Sequence, residues 1–153
     1  HYTAIKRLKP GNPAPAFTLK NEKGQMVSLN DFKGKVVYID FWGVFCGSCI
    51  YDIKNYIPQI HEYYKDKEVV FINICVDAKE KQWKDALEKY KLDGINLIAE
   101  GWTDHLVCQA YNISSIPHYI LIDKEGTIIN NNARRPSGID LKSGKNVIDN
   151  LLK

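Results

Sequence analysis

No uninterrupted apolar run reaches the ~18–20 residues that a membrane-spanning helix requires. The longest, around Val36–Ile39 and Val69–Ile72, have the length of buried strands. Charge of one sign is also lacking. Lys and Arg number 21 against 18 Asp and Glu, a net charge of +3, and the lysines are scattered rather than gathered in a stripe. Such a balance argues against a nucleic-acid partner. There is no internal repeat, no low-complexity segment and no Gly/Ser linker. Cysteine is scarce, with four residues, Cys46, Cys49, Cys75 and Cys108, in a chain of 153. This is not the dense framework of a small secreted scaffold, and an even count alone does not imply two bridges.

The remainder is an ordinary globular composition, 44% apolar and 25% charged, in a chain long enough for one domain with its own core. We expect a single domain over 1–153, with residues 1–10 as a flexible leader. The chain begins at His1 rather than Met, which fits a trimmed or mature form from which a signal peptide has been removed.

Periodicity orders the chain. Lys9–Pro15 holds three prolines and is neither regular helix nor central strand. Phe17–Lys20 and Gln25–Leu29 read as a hairpin around Asn21–Gly24. Lys35–Trp42 is apolar on both faces apart from Asp40, the pattern of a central strand in a parallel sheet. Ile50, Ile53, Ile57 and Ile60 predict a helix over 47–64, kinked at Pro58. Val69–Val76 is a second buried strand, Glu80–Tyr90 an amphipathic helix, Asn96–Ala99 a short strand. A helix over Thr103–Tyr111 has Thr103 as its expected N-cap. Tyr119–Asp123 and Thr127–Asn130 flank a Lys-Glu-Gly turn as a second hairpin, and Asp140 or Ser143 is the expected cap of a last helix. The order implies an α/β fold: a mixed central sheet, helices on both faces, an N-terminal β-hairpin and a central inserted helix.

The chemistry concentrates at Cys46-Gly47-Ser48-Cys49, between a buried strand and a helix. The first cysteine of such a pair meets unpaired backbone N–H groups and the positive end of the helix dipole, which favour its thiolate. The second lies one turn deeper and can close a disulfide. In this reading Cys46 attacks a substrate disulfide and Cys49 resolves the mixed disulfide. Half a zinc site and two inert core thiols are the bland alternatives. Zinc needs four ligands, and no second Cys-x-x-Cys or His-x-x-His is present. Nothing in the residues calls for a metal or a cofactor.

Three further positions bear on the site. A carboxylate inside an apolar strand is costly unless used or paired, so Asp40 is either a buried acid/base serving Cys49 or a hydrogen-bonding structural residue. Pro117 precedes an apolar strand and is either cis or an ordinary trans proline. Cys75 and Cys108 read as buried structural thiols, a disulfide between them having little support. His118 borders the groove or is simply a surface residue; His61 and His105 read as helix-surface residues.

Together these residues resemble the thioredoxin superfamily. Ile39-Asp40-Phe41-Trp42-Gly43-Val44-Phe45-Cys46-Gly47-Ser48-Cys49 is similar to its active-site segment, and Ile113-Ser114-Ser115-Ile116-Pro117 to its cis-proline segment. Gly11–Leu19, Val27–Lys35, the helix Glu80–Tyr90 and Ile120–Gly126 are similar to TlpA/ResA-like bacterial envelope oxidoreductases. Ala133–Ser137 and the last helix resemble a subgroup of them. The resemblance runs from about Gly11 to Ile129. It implies a thioredoxin fold, an exposed Cys46, a shielded Cys49, a cis Pro117 against the disulfide, an Ile116 backbone that pairs with an extended substrate, and Trp42 packed beside the pair. It also implies that Asp52, three residues after Cys49, stands where the ResA-like pattern has a glutamate. Asp52 is then a second acid/base, or else a plain solvated helix charge.

Three departures bear on the redox chemistry. Ser48 replaces the usual proline between the cysteines. Phe45 replaces a tryptophan before the first cysteine. Asn73 stands where thioredoxins carry a lysine near the buried aspartate. The leading expectation is a monomeric thiol-disulfide oxidoreductase of the bacterial periplasm or envelope, reducing protein disulfides with electrons from another thiol protein, either soluble or membrane-bound. An oxidase or isomerase with the same residues is the alternative, since direction follows reduction potential at ~30 mV per ~1.4 kcal/mol. A peroxiredoxin needs Thr or Ser three residues before its cysteine, where this chain has Gly43. A non-enzymatic binding domain is the third class.

Overall fold

A computed structural model of the chain describes residues 6–153. Seven strands form one mixed sheet: β1 (Thr18–Asn21), β2 (Met26–Ser28), β3 (Val36–Trp42), β4 (Val69–Cys75), β5 (Ile95–Ile98), β6 (His118–Ile122) and β7 (Ile128–Asn130), in the spatial order β2-β1-β5-β4-β3-β6-β7. β3, β4 and β5 run parallel, while β6 pairs antiparallel with β3 and β1 with β5. All seven residues of β3 are buried. That explains its unbroken apolar run: a central strand is covered on both faces, so alternation with solvent disappears.

The helices are α1 (Gly47–Asn55), α2 (Ile57–Tyr64), α3 (Glu80–Tyr90), α4 (Leu106–Ala110) and α5 (Val147–Leu151). Alternation along β3 sends Val37, Ile39 and Phe41 to one face, where they pack with Phe17, Val107 and Tyr111. Tyr38 and Trp42 point to the other. Tyr38 packs with Ile60, Tyr64 and Ile148, and Trp42 with Cys49, Ile53 and Trp83. α1, α2, α3 and α5 therefore cover one face and α4 the other. Among the described residues no helix is long and apolar enough to cross a membrane.

Four local expectations need correction. The helix expected over 47–64 is two helices, parted at Tyr56, where φ is −127°. Pro58 offers no N–H to the carbonyl four residues back, and its ring crowds that turn, so the chain restarts with proline in the first turn of α2. α4 begins at Leu106, not near Thr103. Trp102–Asp104 form a 3-10 turn, and His105 is the cap, its Nδ1 accepting from Val107 N at 3.1 Å. α5 is capped by Asn146, whose Oδ1 accepts from Asp149 N at 2.8 Å. Asp140 and Ser143 instead tie the preceding loop, accepting from Lys142 N and Lys145 N. Finally, His61 packs on Phe71, ring centroids 4.5 Å apart, and burial pushes its pKa down to about 4; it is not a plain surface residue, and neither is His105.

Residues 1–5 of the expected leader lie outside the described residues. Leu8 is buried in the core, and its carbonyl accepts from Asn131 Nδ2 at 2.7 Å.

Candidate active site

The turn from β3 into α1 is held from below. Asp77, just past β4, accepts from Val44 N (2.8 Å) with one carboxylate oxygen and from Phe45 N (3.0 Å) with the other. Gly43 permits this. A Cβ there would run into the Asp77 carboxylate and Ile116 Cδ1. Phe45 itself is exposed.

Cys46 is the N-cap of α1, and its Sγ accepts from Cys49 N at 3.2 Å. One of the orphan N–H groups of the helix start, that of Cys49, thus already points at this sulfur. Cys46 and Cys49 are joined in a disulfide with Cα atoms 5.3 Å apart. Cys46 is half-buried and Cys49 is buried. Ser48 Oγ lies 3.6 Å from Cys46 Sγ. On the opposite side the Ile116–Pro117 peptide is cis, and Ile116 O lies 3.8 Å from Cys46 Sγ. Trp42 is buried in the same cluster as Cys49, with Cys46 and Ile116 packed against it.

On the same face of the sheet as the pair lies a polar group inside the core. Asp40 is buried on the α1 face of the sheet, in register with Tyr119 of β6 and Asn73 of β4. Its Oδ1 has no hydrogen-bond partner among the described residues. Removal from solvent, reinforced by the negative Asp52 and partly offset by Arg135, pushes its pKa up to about 8. Asn73 does not compensate. Its amide donates to Asp93 O (2.8 Å) and Asn96 Oδ1 (3.1 Å).

Asp52 is not a solvated helix charge. It is buried, and its Oδ2 accepts from Tyr119 Oη (2.8 Å), Arg135 Nη2 (2.9 Å) and Arg135 Nε (3.3 Å). Cys75 and Cys108 are free and buried, and burial pushes their thiols up to about 12 and about 11. They pack on opposite faces of the sheet, Cys75 with Trp42 and Cys108 with Phe41, which rules out a bridge between them. His118 Nε2 lies 2.6 Å from Asn131 O, tying β6 to the segment after β7.

The structure thus brings the half-buried Cys46, Ile116 and Pro117 together with the buried Cys49 and Trp42, and Asp40 and Asp52 are buried on the same side of the sheet. Sequence reasoning missed Asp77, Tyr119 and Arg135. Asp77 had one signal, as a polar residue following a buried parallel strand, where such sheets place their sites. Tyr119 and Arg135 had none, because their proximity to Asp40 and Asp52 depends on register and on the path after β7.

The model of the Redoxin family matches residues 9–148. The chain belongs to the Redoxin family. Among curated members of this kind, the thiol-disulfide oxidoreductase ResA of Bacillus thuringiensis subsp. konkukian is 30% identical over 129 residues, covering 84% of this chain and 72% of that protein. ResA of Bacillus subtilis is 29% identical over 122 residues, covering 80% and 66%. Of solved structures, the thioredoxin domain of a Bacteroides vulgatus thiol-disulfide oxidoreductase superposes with a TM-score of 0.76 at 35% identity, covering 85% of this chain and 91% of that one. The fold is the thioredoxin fold, and this Redoxin chain is a thiol-disulfide oxidoreductase.

Proposed function

We propose that this Redoxin protein reduces disulfides of bacterial envelope proteins, with Cys46 as nucleophile and Cys49 as resolving thiol. The observation that carries the proposal is the asymmetry of the pair. Cys46 is half-buried at the helix cap with a backbone N–H on its sulfur, whereas Cys49 is buried on the same side of the sheet as Asp40.

In the reduced protein the Cys46 thiolate attacks one sulfur of a substrate disulfide. A mixed disulfide forms, and the first substrate thiolate leaves and takes up a proton from water. Cys49 then gives its proton to the Asp40 carboxylate, and the Cys49 thiolate attacks Cys46 Sγ. The Cys46–Cys49 bond forms, and the second substrate sulfur leaves as a thiolate that is protonated in turn. The substrate has gained two electrons and the protein has lost two. A second thiol protein returns the disulfide to the dithiol. Ile116 O, next to Cys46 Sγ, supports backbone pairing with an extended substrate segment, with Pro117 and Trp42 shaping the rest of the contact. Asp52 belongs to the same proton-handling group through its charge on Asp40.

Cys49→Ser should accumulate a mixed disulfide between Cys46 and a disulfide-bearing substrate protein in intact cells, and Cys46→Ser should not. The reduction potential of the pair tests direction. A value near the ~−120 mV of strong oxidants would overturn the reductase reading in favour of oxidation. Fractionation of cells making the whole protein tests the envelope assignment, which a cytosolic location would remove.

A further inference from the structure

Two buried carboxylates, Asp40 and Asp52, lie on one side of the sheet and repel one another. Two negative charges in such a place are expensive without a cation. Arg135 supplies it, donating from both Nε and Nη2 to Asp52 Oδ2.

This arginine is not a loose surface side chain that happens to touch an acid. The backbone around it is fastened to the strands beneath. Tyr38 Oη donates to Arg134 O at 2.6 Å, Ala133 N donates to Tyr119 O at 2.8 Å, and Pro136 is buried. The rings of Tyr38, which anchors through its hydroxyl, and Tyr119, which anchors through its main-chain carbonyl, stack with centroids 5.4 Å apart on the face that carries Asp40. The guanidinium is half-exposed while the carboxylate it holds is buried.

We propose that Arg135 is a positioning residue for the proton step: by pairing with Asp52 opposite Tyr119 it holds that carboxylate in place and offsets its field, so that Asp40 is the carboxyl that exchanges a proton with Cys49. The proposal rests on the roles given above to Asp40 and Cys49. The titratable and charged groups around Asp40 are Asp52 from α1, Tyr38 from β3, Tyr119 from β6 and Arg135 from the segment after β7; Asn73 of β4 has its amide engaged elsewhere, and Cys49 of α1 packs with Trp42 on the same face of the sheet. Of these only Arg135 is cationic. Its removal makes the pair of carboxyls hold their last shared proton to higher pH, whichever of them carries it.

The test is the pH dependence of the resolving step, followed as single-turnover release of the second thiol from a mixed disulfide. Asp40 as base predicts a rate that rises with pH through an inflection. Arg135→Gln should move that inflection up by about one unit, which slows the step about tenfold below it. Arg135→Lys should restore much of the shift, a rescue that a purely structural role would not tie to charge. An unmoved inflection in folded Arg135→Gln overturns the proposal. Asp52→Asn asks the same question without removing the arginine. It leaves Arg135 facing Asp40 with no competing carboxylate, and the inflection should fall; an unmoved or raised inflection again overturns it. Asp40→Asn separates the two readings. Loss of the inflection supports Asp40 as the base whatever the Arg135 variants do, and its persistence removes the reading on which the proposal stands.

Discussion

Asp40 and Tyr119 stand directly opposite one another on antiparallel neighbours β3 and β6, yet the Tyr119 hydroxyl donates to Asp52 and not to Asp40. The consequence is a buried carboxyl whose Oδ1 has no partner and whose pKa rises to about 8 from 3.8. A folded-state pKa above the unfolded one means that the folded protein binds the extra proton between those values. Stability from this group is therefore greatest at the acid end and falls as pH rises towards about 8. Asp40→Asn should abolish that slope and stabilise the oxidised protein by about 4 kcal/mol more near pH 9 than near pH 5. Urea unfolding at the two pH values reads this directly. Equal stability changes at both would refute it.

Tyr119 also holds Asp52 by a hydrogen bond. Tyr119→Phe deletes a 2.8 Å bond to a buried carboxylate and leaves the ring packing on Tyr38 in place. The expected loss is ~1.5–3 kcal/mol, the usual worth of a hydrogen bond to a charged group. Chemical denaturation measures it, and a loss below a few tenths would mean that Arg135 alone satisfies the oxygen.

Asp77 holds the active-site turn through two backbone N–H groups. Asp77→Ala should orphan Val44 N and Phe45 N, lower stability by about 2 kcal/mol, and slow attack by Cys46 because the helix cap is no longer held in place. Thiol-trapping rates of the reduced protein at fixed pH test the second part. Asp77→Asn, which keeps one acceptor, should fall between the two.

His61 sets an acid limit. Its pKa is lowered to about 4 from 6.5 by burial against Phe71, so the unfolded chain binds a proton that the folded one refuses. Stability is full above about pH 6.5 and is lost as pH falls towards about 4, by up to ~3 kcal/mol. His61→Gln should flatten this acid branch in thermal unfolding measured across that range, and a branch of undiminished steepness would assign it to other groups.

Most strands and the principal helices could be read from the chain because their signals are local. The apolar run of β3, the spacing of the isoleucines in α1 and α2, and the hairpin turns each depend on neighbours within a few residues. The same holds for Cys46 and Cys49, whose three-residue spacing at a strand–helix junction specifies both chemistry and place. Caps were harder. Thr103, Asp140 and Ser143 are good cap residues, but the chain caps α4 with His105 and α5 with Asn146, because where a helix begins depends on what the preceding loop is bonded to.

By itself, then, the sequence determined a Redoxin chain with a thioredoxin fold and a redox pair at one helix start. It also placed Asp40 on the face away from Ile39 and Phe41, since strand alternation is a two-residue rule. What only the tertiary structure decided is the company these residues keep. Asp52, readable as a solvated charge, is buried between Tyr119 and Arg135, which lie 67 and 83 positions away along the chain. Asp77 reaches back 33 positions to Val44. Such pairings follow from sheet register and the path of a loop, which depend on how all the strands pack at once, and no local pattern encodes them.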